Sequence, residues 1–346
     1  MLEQDKKNLM NFSYYDEAID IMLQYVNKRD DIVTLWQYGK VTEPGVSDID
    51  FIAVVSDNPN QDISEYLDRS NFDSQVITCI NKANLIVVPE SKSMEVFLWD
   101  KLNIIDLNSM RSVKEDKVIK NRQKYRDIAM LVDWAFILIY RFRVGNSNML
   151  KINDRTALGR MKSFGYTINL FKKLGGELDY SYFSDLSNRL NNLRREWQNL
   201  HTEERKKEVH ELYASYASYA DDLHKSLFSF FSNSEHYRDV VNINNIELTF
   251  PKSSGKFVFT DSFIHNEDKV AIPISLLTHF YIYSSHHNSI LSEKIQMSFN
   301  TSFNINYNNN EYYSFLSERI DAASVWFDYL KKNNFNFGAF RMGWYL

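Results

Sequence analysis

Apolar positions along this chain change their rhythm twice, and each change marks a different kind of structure. From Tyr14 to Asn27 the residues Ile19, Ile21, Met22 and Tyr25 recur at helical spacing, with Asp16 favouring the first turn. Short β-branched and aromatic runs follow at Ile32 to Tyr38, Asp50 to Val55, Asn84 to Val88 and Leu102 to Leu107. Gly39, the Ser56 to Pro59 cluster and Pro89 end the first three runs, and Asp62 to Asp68 reads as a helix between the second and third. Long helical periodicity then covers Asp116 to Phe142, Arg155 to Leu174, Tyr182 to Leu200 and Glu203 to Phe231. Gly145 to Asn148 and the Gly175–Gly176 pair separate these segments. After Asn233 strand-like runs at Ile246 to Phe250 and Lys256 to Phe259 return, followed by an asparagine-rich loop at Asn300 to Asn310 and a helix at Tyr312 to Leu330. The pattern predicts an α+β protein: a small mixed sheet in 1–112, a helical bundle in 113–233 and a mixed region in 234–346.

Composition narrows the range of partners. A chain of 346 residues, 44% hydrophobic and 25% charged, is long enough for more than one core and is expected to fold. Its formal net charge of -5 gives no general attraction for polyphosphate, which argues against long nucleic acid as a partner. The single cysteine, Cys79, cannot form an intramolecular disulfide, and the charged start MLEQDKKNLM has no apolar signal segment, so a cytoplasmic location is expected. The most apolar run, Ile128 to Tyr140, contains Asp133, is flanked by Arg126 and Arg141, and is too short for a bilayer. It is expected to be a core helix.

Three further features carry a bland reading. Tyr213, Tyr216 and Tyr219 recur at spacing three and are expected to pack in a core. His286 and His287 lack further ligands at metal spacing and read as surface residues. Lys114, Lys117, Lys120 and Lys124, with Arg122 and Arg126 offset, form a cationic strip expected to be a solvated face.

The chemistry is concentrated between Leu35 and Val55. On a strand, Asp48 and Asp50 project from one face while Ile49 and Phe51 project from the other. Adjacent carboxylates repel, and a cation between them removes the penalty; all-oxygen ligation of this kind suits Mg²⁺. Gly39 permits a tight turn whose backbone N–H groups could face phosphate. A helical turn starting there would add its dipole, Lys40 would add a charge, and Pro44 and Gly45 would return the chain to the carboxylate strand.

Tyr38-Gly39-Lys40, a short turn and Ser47-Asp48-Ile49-Asp50-Phe51 resemble the signature of the DNA polymerase β-like nucleotidyltransferase superfamily. Lys40 occupies the position where that signature carries a small residue. The resemblance implies that Asp48 and Asp50 are catalytic and bind Mg²⁺ or Mn²⁺, and that Gly39, Lys40 and Ser47 hold the nucleoside triphosphate. The reaction it implies is transfer of a nucleoside monophosphate to a small-molecule or protein acceptor. The superfamily also has a third acid on a later strand. Asp106, between Ile105 and Leu107, is preferred here, with Glu90 next and Glu95 and Asp73 weaker. Two other readings stand beside this one: a glycosyltransferase holding a nucleotide-sugar through Asp-x-Asp, and a catalytically silent nucleotide-binding or protein-interaction module.

Overall fold

A computed structural model describes residues 11–59, 79, 86–147, 153–232, 241–243, 246–248, 264–266, 269–272 and 311–333. The readings of Asp62 to Asp68, Asp73, Lys256 to Phe259, His286–His287 and Asn300 to Asn310 lie outside them.

The protein is α+β, and by internal contacts it divides into two compact units, neither continuous in sequence. One comprises Met1–Asn121, Asn191–Arg205 and Ser324–Leu346, the other Arg122–Leu190 and Lys206–Ala323. The sequence reading drew contiguous boundaries at 112 and 233. Helical periodicity shows that a face is buried but not which core buries it, so it does not reveal this interleaving.

The first unit begins with helix α1, Phe12–Val26, whose N-cap Asn11 accepts a hydrogen bond from the Ser13 amide. Its buried stripe is Tyr15, Ala18, Met22 and Val26, rotated from the set expected; Ile19, Ile21 and Tyr25 are only half-buried. The five-stranded sheet consists of β1 Ile32–Tyr38, β2 Asp50–Val55, β3 Ile86–Pro89, β4 Ile104–Asp106 and β5 Arg111–Val113. Their spatial order is β3-β2-β1-β4-β5. β2 runs antiparallel to β1 and parallel to β3, while β1–β4 and β4–β5 are antiparallel. From Phe51 onward β2 is buried throughout, as is β3. Such unbroken apolar runs are what burial on both faces requires. Two elements escaped the sequence reading, the 3₁₀ stretch Glu90–Leu98 and the edge strand β5. Both are polar and short, and neither has the alternation that marks a strand or the run length that marks a helix.

The first unit closes firmly at the C-terminal end of β2. Arg29 forks onto Asp31, Nε to Oδ1 at 2.8 Å and Nη2 to Oδ2 at 2.7 Å, with both side chains buried. The Ser56 amide donates to the Asp31 carbonyl, and the Tyr329 hydroxyl donates to the Ser56 carbonyl at 2.7 Å.

The second unit is built from helices α2 Lys117–Asn121 in part of its approach, α3 Gln123–Ser147, α4 Asp154–Lys173, α5 Tyr180–Arg195, α6 Thr202–Ser232 and α7 Glu311–Lys332, as far as their residues fall within its ranges. A small sheet of β6 Val241–Ile243, β7 Ile246–Leu248, β8 Ile264–Asn266 and β9 Lys269–Ile272 belongs to it, in the order β6-β7-β9-β8. Tyr213, Tyr216 and Tyr219 are buried among Phe142, Phe164 and Phe183, so the tyrosine stripe is core. Asp133, the charge inside the apolar run, is buried against Arg319 at 2.6 Å. Lys114, Lys117, Lys120 and Lys124 are exposed as expected, whereas Arg126 is fully buried and Arg122 pairs with Glu318. Among the described residues no helix is long and apolar enough to cross a membrane.

Candidate active site

Register decides which acids meet. Tyr38, the last residue of β1, lies directly opposite Asp50, the first residue of β2, so their side chains share one face of the sheet. The buried Tyr38 hydroxyl hydrogen-bonds to Asp50. Its pKa is raised well above the ordinary tyrosine value, first by burial, then by the negative charges of Asp50, Asp48 and Asp100. Three carboxylates therefore bear on one hydroxyl at the open end of β1. Asp48 is solvent-exposed, while Asp50 and Asp100 are half-buried. Between the two aspartates, the Ile49 amide donates to the Cys79 carbonyl at 2.8 Å and fixes the chain as it enters β2.

Asp100 was not singled out from the sequence, and the register explains why it belongs here. β4 is antiparallel to β1, with Tyr38 opposite Ile104 and Trp36 opposite Asp106. The beginning of β4, not its end, therefore lies at the Tyr38 end of the sheet. Asp100 just precedes that beginning, and Asn103 ties it down by accepting a hydrogen bond from the Gly39 amide at 3.1 Å. An acid ahead of a strand antiparallel to β1 was the available signal; the search went to acids within or after strands.

The structure does not bring Asp106 or Glu90 to the pair. Asp106 Oδ1 accepts from the Thr34 hydroxyl at 3.0 Å and from the Asn108 and Ser109 amides at 2.9 and 3.0 Å. That is an Asx turn ending β4, with its carboxylate drawn roughly 13 Å along β1 from Tyr38, four residues at the strand rise. Glu90 follows Pro89, which pairs with Val55 at the opposite end of β2 from Asp50, roughly 16 Å away at that rise. Glu95 pairs with Lys92 at 2.9 Å.

The glycine bend is present in a form different from the one expected. Gly39 has φ +78 and Gly45 φ +81, left-handed conformations that glycine adopts without strain. No helix follows Gly39; Lys40 to Thr42 lead into a turn in which the Val46 and Ser47 amides both donate to the Glu43 carbonyl. The connection returns the chain antiparallel within a few residues and leaves no length for a helix. Since the Gly39 amide is bonded to Asn103, the expected phosphate cradle is not built from that group. Lys40 is exposed beside it.

Ser47 is committed to the turn. It is buried; its hydroxyl accepts from the Glu43 amide at 3.1 Å and from Arg194 Nη2 at 3.3 Å, and its carbonyl accepts from the Tyr15 hydroxyl at 2.7 Å. Its position before Asp48 makes it part of the support for that residue instead of a nucleotide contact.

Among the described residues no group of three or more His, Cys, Asp or Glu side chains forms a metal cage. The donor set nonetheless suits Mg²⁺ arriving with a nucleotide, because that ion is commonly held by one or two carboxylates, with phosphate oxygens and water completing the shell. Asp48 and Asp50 supply those two carboxylates on one face. Comparison with protein-family models, curated proteins and solved structures finds no match to this chain.

Proposed function

We propose that the first unit is a metal-dependent nucleotidyltransferase that moves a nucleoside monophosphate from a nucleoside triphosphate to a hydroxyl-bearing small molecule or protein. The observation that carries the reading is the gathering of Asp50, Asp48 and Asp100 around the Tyr38 hydroxyl beside the Gly39 bend. In this reading Asp48 and Asp50 hold Mg²⁺ or Mn²⁺, which supplies charge neutralisation for the triphosphate. The Tyr38 hydroxyl, donating to Asp50, restrains that carboxylate and stays protonated because burial disfavours the phenolate. Lys40 offers positive charge to the phosphates. Asp100 takes the proton of the attacking hydroxyl. The acceptor oxygen bonds to the α-phosphorus, the bond from that phosphorus to the bridging oxygen breaks, and pyrophosphate leaves.

The test is pyrophosphate release from each of the common NTPs with Mg²⁺ or Mn²⁺, in the presence of candidate acceptors. Replacing Asp48 and Asp50 together by Asn should lower release by about a thousandfold, corresponding to several kcal/mol of lost transition-state stabilisation. Equal release by the double variant, or stabilisation by nucleotide-sugars and not by NTPs, refutes the assignment.

A further inference from the structure

The segment that delivers Asp48 is gripped from two sides by groups outside the sheet. On one side the Tyr15 hydroxyl of α1 donates to the Ser47 carbonyl at 2.7 Å and accepts from the Gly45 amide at 2.9 Å. One buried hydroxyl thus bridges two turn positions that no backbone ladder joins. On the other side Arg194 donates through Nε and Nη2 to Glu43 Oε2 at 3.3 and 2.9 Å, and through Nη2 to the Ser47 hydroxyl at 3.3 Å. Gln198 adds a bond from Nε2 to the Pro44 carbonyl at 2.9 Å. Arg194 is nearly fully buried, so its charge is balanced locally, by Glu43.

A turn closed only by its own amides would leave Asp48 on an exposed, mobile connection. Each outside bond removes one way for it to move, and Ser47 receives bonds from both sides immediately before Asp48. We infer that Tyr15 and Arg194, assisted by Gln198, are positioning residues that hold the Glu43–Ser47 turn so that Asp48 stays beside Asp50. The clamp is a structural claim; its consequence for metal binding rests on the nucleotidyltransferase reading. The segment 191–205 thereby becomes part of the site's support although it lies far from the motif in sequence.

The test is amide hydrogen exchange on the full-length chain, comparing wild type with Tyr15→Phe, which keeps the ring and removes only the bridging hydroxyl. Amides of residues 43–50 should exchange about fivefold faster in Tyr15→Phe, the loss expected for one hydrogen-bonding group, while β2 from Phe51 to Val55 keeps its protection. Arg194→Lys, which cannot reproduce the two-nitrogen contact with Glu43, should give the same localised signature. If Arg194→Lys fails to fold, Tyr15→Phe alone decides. In the pyrophosphate assay the Mg²⁺ concentration for half-maximal rate should rise about fivefold in Tyr15→Phe, with the rate at saturating Mg²⁺ within about twofold of wild type. Unchanged exchange in residues 43–50, or acceleration spread evenly over the sheet, overturns the clamp. Faster local exchange with an unshifted Mg²⁺ requirement overturns its role in positioning Asp48. A wild-type protein that releases no pyrophosphate defeats the functional reading, and the exchange result then still accepts or rejects the clamp.

Discussion

The two ends of the five-stranded sheet use the same residue types for opposite purposes. At the end where β2 finishes, Asp31 is forked by Arg29 and the Tyr329 hydroxyl is tied to the Ser56 carbonyl. At the end where β2 begins, Asp48, Asp50 and Asp100 gather around the Tyr38 hydroxyl. Both tyrosines are held neutral, chiefly by burial and then by nearby carboxylates: Asp57 and Asp31 for Tyr329, and Asp50, Asp48 and Asp100 for Tyr38. The acid beside Tyr329 is neutralised by a bidentate cation and closes the fold. The acids beside Tyr38 concentrate negative charge on one face next to a glycine bend, an arrangement that stabilises nothing until a cation arrives. Chemistry and stability are thus separated by position along the strands, not by residue type.

The sharpest way to break this contrast is to remove the cation at the closed end. Arg29→Ala leaves Asp31 buried without its bidentate partner, and truncating one member of a buried pair costs about 3–5 kcal/mol. Chemical denaturation should show a loss of that size, while nucleotide-triggered pyrophosphate release by the folded fraction stays near wild type. A loss under 1 kcal/mol would show that the closed end is not the structural end.

Alkaline pH probes both ends at once. A tyrosine whose folded pKa lies above its unfolded value keeps its proton longer in the native state. Its contribution to stability is therefore complete below the unfolded value, about 10, and is lost as pH rises from there toward the folded value. Stability of the wild type should fall above pH 10, each such tyrosine adding a slope of up to about 1.4 kcal/mol per pH unit. Tyr216, whose hydroxyl burial pushes up to about 12, adds to the same slope from the helical unit. Tyr38→Phe and Tyr329→Phe should each flatten the slope. Denaturation at a series of pH values checks this, and a slope identical in wild type and both variants would contradict the burial assigned to these hydroxyls.

What the sequence disclosed follows the same division. Residues whose fate depends on neighbours in the chain were legible: β1 and β2 begin and end where Gly39 and Asp50 imply, and the Tyr213, Tyr216 and Tyr219 stripe is buried as its spacing predicts. The Asp48–Asp50 pair was legible because alternation along one strand is a local property. Asp100 was not, because its place depends on β4 lying antiparallel to β1, a pairing that no local pattern encodes. The same gap hid Arg194, since the spacing of α5 shows an amphipathic helix but not that its end meets the turn before Asp48. Gly39 was read correctly as a bend and too generously as a helix start, because left-handed glycine is compatible with several continuations.

The smallest predicted effect is also the one that separates register from residue pattern most directly. Asp106 has the apolar-acid-apolar form that made it the preferred third acid, yet its Oδ1 serves one hydroxyl and two amides of its own turn. Asparagine keeps an oxygen acceptor at that position and removes only the charge, so Asp106→Asn should cost less than about 1 kcal/mol in denaturation. It should leave pyrophosphate release unchanged. Asp100→Asn makes the same chemical change next to Tyr38 and should slow release by about 10²-fold, the scale of a lost general base. The pair of variants alters net charge identically, so differences in solubility or long-range field do not enter the comparison. Should Asp106→Asn slow release and Asp100→Asn leave it intact, the antiparallel placement of β4 would be the element to discard, and with it the gathering of acids at the β1 end.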